Sequence, residues 1–214
     1  TRSSDFYLYM KNDKFILNKL SILKEIYDDR NSATGIAVFG NYVASSLFLA
    51  VALTGEPGKE NLIGFKSFDL NADVAIILEG TIVTLCFFAI GQLAQIAFAY
   101  YYSKITPYDF QMEIRDKNNS AAGISLAGAL VAIGIIVARS LRQDFISFAE
   151  TGTLVGMEFL LSLLLLPILR FFTDKIILRG TSLSKEIVED QNIGAAVIEA
   201  CVFISFAGVV FYSI

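Results

Sequence analysis

Two carboxylates stand where charge is costly. Glu199 is the one charged residue between Asn192 and Ile214, and Glu158 is followed by eleven uncharged residues, Phe159 to Leu169. An ionised carboxylate in hydrocarbon must pair, face water or take up a proton. Intramembrane acids are therefore default candidates for an ion or substrate path. At similar depth, Glu158 and Glu199 would define a proton or cation path. The alternative is that each is protonated and hydrogen-bonds a neighbouring helix. Glu79 and Glu150 lie nearer the outer ends of their apolar segments and are further candidates for the same path. Gln92, Gln95, Thr84 and Ser162 supply additional polar lining.

Other chemistries lack their residues. Histidine is absent, which removes the commonest general base and the commonest metal ligand. Cys86 and Cys201 sit in apolar runs without ligand spacing and read as small apolar residues packed between helices. There is no P-loop, GxSxG or HExxH pattern. These features point away from an enzyme, a bound metal or an organic cofactor. No basic patch interleaved with aromatics is present, so no nucleic-acid partner is expected. Arg139 and Arg142, one turn apart, face either a pairing with Glu150 or Asp144 or a snorkel to the interface. Snorkelling is the expectation.

The elements that must position these residues follow from composition. Of 214 residues, 55% are hydrophobic and only 18% charged, with a mean hydropathy of +0.59. Soluble domains carry about a quarter charged residues. The uncharged stretches reach the roughly 20 residues a bilayer demands. The pattern predicts an all-α, polytopic transmembrane bundle with helices near 31–54, 73–103, 120–138, 147–172 and 192–214. The second is long enough to tilt or project past the bilayer, and Pro167 should kink the fourth. Gly55, Pro57 and Gly58 break the first loop. Arg139, Arg142, Gln143 and Asp144 read as a tight turn. Residues 1–24 form an amphipathic segment, with Phe15, Ile16, Leu20 and Leu23 at helical spacing. It lies on the membrane surface or is an ordinary solvated helix. Without tryptophan, an interfacial belt falls to Tyr100, Tyr101, Tyr102 and Tyr212.

Four of the 17 basic residues, Lys59, Lys66, Arg139 and Arg142, fall on the side opposite the N-terminal segment. The positive-inside rule then places the N-terminal side in the cytoplasm. The chain begins at Thr1 rather than Met and its last helix runs to Ile214. A longer natural chain is expected, with a sixth helix completing the bundle.

A motif recurs before the odd-numbered helices. Glu25-Ile26 leads to Asn31-Ser32-Ala33, Glu113-Ile114 to Asn119-Ser120-Ala121, and Glu186-Ile187 to Asn192-Ile193-Gly194. The even helices share Gly80-Thr81-Ile82-Val83 and Gly152-Thr153-Leu154-Val155. Such periodicity marks internal repeats. It divides the chain into two-helix units at 25–105 and 106–180 and a first helix at 181–214. Because two helices separate each start, the units are parallel, related about an axis near the membrane normal. The asparagine is placed to cap its helix, and the acids sit near the positive helix end. The motif is thus a helix-start and packing signature, or else three acidic collars forming an ion entrance. Gly123, Gly128 and Gly134 pair with alanines four residues on, spacing that suits close helix contact.

At these residues the chain resembles the bacterial membrane family called domain of unknown function 350. The matching pieces are Asn31-Ser32-Ala33 to Gly40, Asn119 to Gly128, and Asn192 to Ala196, within residues 25–214. The third copy departs from the pattern, with Cys201 at the glycine position. The resemblance implies a multi-pass protein of the bacterial inner membrane and brings no activity with it. Two functions are expected: a transporter or channel-type subunit with Glu158 and Glu199 on a polar path, or a structural subunit docking partners. The lipid bilayer is the expected surrounding, with a homo-oligomer or a larger membrane complex as the assembly.

Overall fold

In the computed structural model, residues 22–54, 72–142 and 147–213 are described. Most of the N-terminal amphipathic segment, the loop with Gly55, Pro57 and Gly58, and the turn residues Gln143 and Asp144 lie outside them. The described residues form short α1 (Ile22–Tyr27), α2 (Ser32–Thr54), α3 (Ala72–Ile105), α4 (Phe110–Arg115), α5 (Ser120–Leu141), α6 (Phe148–Phe172), α7 (Leu183–Val188) and α8 (Ile193–Ser213). Among them, α2, α3, α5, α6 and α8 are long and apolar enough to cross a membrane. The protein is an all-α polytopic membrane bundle.

The centre of the bundle is α5. Its apolar stretch is 83% buried, against 39% or less for the other four spans. Small residues make this possible. A Cβ on Gly123 would lie 2.7 Å from the Ala33 carbonyl oxygen, and one on Gly134 2.6 Å from Ala44 Cβ, both on α2. A Cβ on Gly128 would overlap Ala200 of α8. Gly40 of α2 in turn has no room against Ala127. The three sequence glycines thus seat α5 between α2 and α8, and α3 and α6 pack beside this row.

The side of the membrane where α2, α5 and α8 begin carries all three motifs and is called the motif face below. α3 returns to it at Ile105 and α6 at Phe172. α3 has 34 residues, about 50 Å at helical rise, so it outruns the hydrocarbon as expected.

α6 stays one helix through Pro167. Proline offers no N–H to the carbonyl four residues back, here Leu163. The Tyr101 hydroxyl of α3 donates to that carbonyl at 2.6 Å, replacing the missing backbone donor. α6 then widens into a π turn at Thr173–Ile177, the kind of bulge that lets a helix end irregularly.

Candidate functional site

Each motif closes on itself in the same way. The side-chain amide of Asn31 donates to Glu25 (3.0 Å), that of Asn119 to Glu113 (3.0 Å) and that of Asn192 to Glu186 (2.8 Å). The asparagine oxygens accept from the first helical amides: Thr34 N, Ala122 N, and Gly194 N with Ala195 N. The residue before each asparagine is left-handed, with φ of 50° at Arg30, 48° at Asn118 and 46° at Gln191. The first two motifs also reach forward. Asn31 donates to the Ile114 carbonyl at 2.9 Å, and Asn119 to the Ile187 carbonyl at 2.7 Å.

This geometry corrects the idea of open acidic collars. Glu25 and Glu113 are buried, at 8% and 1% exposure, with their oxygens turned to asparagine and, at Glu113, to Lys117 at 2.6 Å. The carboxylates hold the motif asparagines, and Asn31 and Asn119 fasten one helix start to the next. Glu186 alone is solvated, and the hydrogen bond from Asn192, followed by one from Thr181, holds its carboxyl below the ordinary value of 4.5. A depressed folded value means that this bond contributes stability above the unfolded pKa and loses it as pH falls through the folded one. Asn192→Ala should therefore move the Glu186 midpoint upward, toward 4.5, in a carbon-detected NMR titration of the carboxyl groups. An unmoved midpoint would show that the bond is not formed in solution.

The intramembrane acids are both paired, and apart. Glu199 is fully buried and meets Arg170 of α6 at 2.5 Å. Its other oxygen accepts from Ser125 of α5, whose hydroxyl lies 3.1 Å from that of Tyr102. The Arg170 guanidinium stacks over the Tyr108 ring, 5.6 Å from its centroid. Glu158 instead pairs with Arg139 and accepts from Ser140 at 2.5 Å, both on α5. Ser125 and Arg139 are 14 residues apart, about 21 Å along the helix. The similar depth expected for Glu158 and Glu199 is therefore corrected: one cluster lies toward the motif face and the other toward the far face.

Snorkelling at Arg139 is corrected too. α5 runs on to Leu141, which carries Arg139 inside the bundle at 8% exposure and into reach of Glu158. Glu150 is exposed and is not its partner, while Glu79 is buried near the start of α3. Gln92, Gln95 and Thr84 bond to Ser45, the Asn41 carbonyl and the Ala52 carbonyl. They tie α3 to α2 rather than lining a passage. Tyr102 is buried and Tyr101 is turned to the Leu163 carbonyl, which leaves the expected belt to Tyr100 and Tyr212. Cys201 faces outward rather than between helices.

A family model described as Domain of Unknown Function (DUF350) matches residues 75–214. The chain belongs to the DUF350 family. The match begins inside α3, so the first motif and α2 precede it. No curated protein and no solved structure matches the chain.

Within this DUF350 chain the recurring motifs give each position its counterparts. Seven residues after the motif asparagine stand Val38, Leu126 and Glu199, all buried. Eighteen residues after the glycine of the shared Gly-Thr pair stand Phe98 in α3 and Arg170 in α6. Counted from these motifs, the Arg170–Glu199 ion pair thus stands at the same offsets as the buried apolar residues Phe98 and Leu126. Arg170, Tyr108 and Ser125 were missed by sequence reasoning, which sought partners for the acids only at Arg139 and Arg142 and polar lining only at Gln92, Gln95, Thr84 and Ser162. Setting α6 against α3 would have shown an arginine at a core position.

Proposed function

We propose that this protein is a transport-type subunit of the bacterial inner membrane, with the motif face in the cytoplasm and two-helix units as its building blocks. The observation that carries the reading is that α6 takes part in two ion pairs within the bundle, the partly buried Glu158 with Arg139 and the buried Glu199 with Arg170, toward opposite faces. Buried ion pairs are weak stabilisers, so two of them on one helix are better accounted for as stations for a charged or polar solute. Ser162 lies between them on the same helix and is buried. A homo-oligomer or a larger complex would complete the enclosure of such a path.

The test is flux of protons, sodium and potassium in liposomes holding the purified protein. Wild type should conduct or carry one of them, and the Glu158→Gln, Glu199→Gln double variant should lose this at an unchanged elution volume. A well-folded wild type that moves none would remove the ion form of the reading. A structural subunit that docks partners is the second reading, favoured by the tight small-residue seams of α2, α5 and α8. It expects Glu158 and Glu199 to tolerate neutralisation and Gly128 to tolerate nothing large.

A further inference from the structure

The row of motif contacts is open at both ends. Inside the chain, each asparagine donates forward to the backbone carbonyl of the isoleucine in the next motif, Asn31 to Ile114 and Asn119 to Ile187. Both of those asparagines are buried, and so are both isoleucines. Asn192 is exposed instead. Among the described residues its side-chain amide donates to Glu186 alone. At the other end Ile26 is 41% exposed, against 0% for Ile114 and Ile187. Its carbonyl accepts from no side chain among the described residues. One end lacks the acceptor, and the other the donor, of the bond that joins the motifs within the chain.

The apolar part of each helix repeats this pattern. Two, nine and thirteen residues after its asparagine, α2 has Ala33, Gly40 and Ala44, and these are the places where α5 packs against it. The ninth position of α5 is Gly128, which takes Ala200 of α8. In α8 the three positions are Gly194, Cys201 and Ser205, and all are exposed. Small residues gain little from acyl chains and much from a second helix. The trailing side of α2 is open as well. Phe39 and Ser46, eight and fifteen residues after Asn31, are exposed, whereas their counterparts in α5, Ala127 and Gly134, sit against α2.

We propose that a second copy of this chain covers the Gly194, Cys201 and Ser205 face of α8, with the Ile26 carbonyl of that copy accepting from Asn192. One such contact satisfies both open ends, because every copy offers the donor at α8 and the acceptor at α1. The contact continues the seams already present between α2, α5 and α8 and keeps every motif on one face of the membrane. It is head-to-tail, joining different surfaces of the two copies, and it propagates until it closes into a ring. Cys201 and Phe39 stand where Gly40 and Ala127 meet in the inner seam. Two copies therefore pack less closely there than α5 on α2, which leaves the motif ends as the place of nearest approach. The inference gives surfaces to the homo-oligomer named with the transport reading, but it stands on the motif contacts and is read without flux.

Disulfide crosslinking in liposomes tests it, with Cys86→Ser and Cys201→Ala as the background. The Ser32 and Ser120 hydroxyls lie 3.0 Å apart across the inner seam, each one residue after its asparagine. Ser32→Cys with Ser120→Cys in one chain is therefore the internal standard. Ile193 holds the same position in the third motif. Two differently tagged chains, one with Ile193→Cys and one with Ser32→Cys, should crosslink to each other on mild oxidation, and neither should do so alone. Asn192→Asp keeps the oxygen that caps α8 and loses the amide donor. Adding it should lower the yield about fivefold, as one lost hydrogen bond would. Ile193→Cys with Tyr100→Cys, an exposed position on α3, measures random collision and should give background only. A mixed product no more abundant than this control overturns the inference. A yield unmoved by Asn192→Asp does the same, as does a product of Ile193→Cys with itself, the mark of a two-fold contact. Flux without the mixed product would keep the transport reading and sink the head-to-tail assembly; the mixed product without flux would do the reverse.

Discussion

Glu199→Leu alone should destabilise the protein by ~3–5 kcal/mol, the usual result of leaving one member of a buried ion pair without its partner. The orphan would be Arg170, whose side chain is 12% exposed and has the Tyr108 ring as its remaining neighbour. Arg170→Phe alone should cost a similar amount by stranding the Glu199 carboxylate at zero exposure. The two together should return stability to within ~1–2 kcal/mol of wild type, since apolar replacements of a buried pair are often neutral or stabilising. The chain itself supplies the precedent, for Phe98 and Leu126 are both fully buried at the matching places. Thermal unfolding of the three variants in one detergent measures the coupling directly. Additive losses would mean that the pair is replaceable at neither end, and that Phe98 and Leu126 are no precedent for these positions.

Gly128→Leu should do damage of the same order as either single change. A mere Cβ there would overlap the Cβ of Ala200 and come within 2.6 Å of its Cα, so neither a rotamer change nor a flexible tip relieves the clash. Forcing α5 from α8 opens the central seam and should cost ~3 kcal/mol or more, the upper end of overpacking effects. Loss of the monodisperse peak in size-exclusion chromatography is the expected sign. Gly152→Leu is the matched control. It is an exposed helical glycine with nothing within 4 Å of its would-be Cβ, so the peak and the melting temperature should hold. Equal damage from both substitutions would mean that glycine is needed for the helices themselves and not for their contact.

The fold was legible because membrane helices advertise themselves by length. All five spans were placed within a few residues, and the motif asparagines capped their helices as their position demanded. The small-residue spacing of Gly123, Gly128 and Gly134 announced close packing but carried no address. Which helix lay across each glycine depended on the order of packing, and this depends on contacts far apart in the chain. The charged clusters were half legible. An acid in an apolar run is conspicuous, whereas its partner need not be. Arg139 sat so close to a predicted helix end that an interfacial role was the natural reading, and three further residues of helix reversed it. Arg170 lay at the edge of a charged linker by sequence but inside the bundle in space. Tyr101 could not have been assigned to the Leu163 carbonyl without knowing that α3 passes α6 near Pro167.

The burial of α5 on both flanks has a consequence for how the protein is made. Helices leave the ribosome in order, and each must wait in lipid until its neighbours arrive. α5 enters with a surface of glycine, alanine and serine that is shaped for helix backbones and makes poor contact with acyl chains. α2 can cover one flank at once, but the other flank, with Ser125 and Gly128, stays uncovered until α8 has been synthesised. Glu199, on α8, is also what neutralises Arg170, so the arginine crosses the whole interval of synthesis between α6 and α8 without that partner. The chain before α8 is thus distinguishable from the chain that includes it by an exposed charge and an exposed seam. Those are features a membrane quality-control protease or a chaperone can read, and the arrival of α8 erases both together.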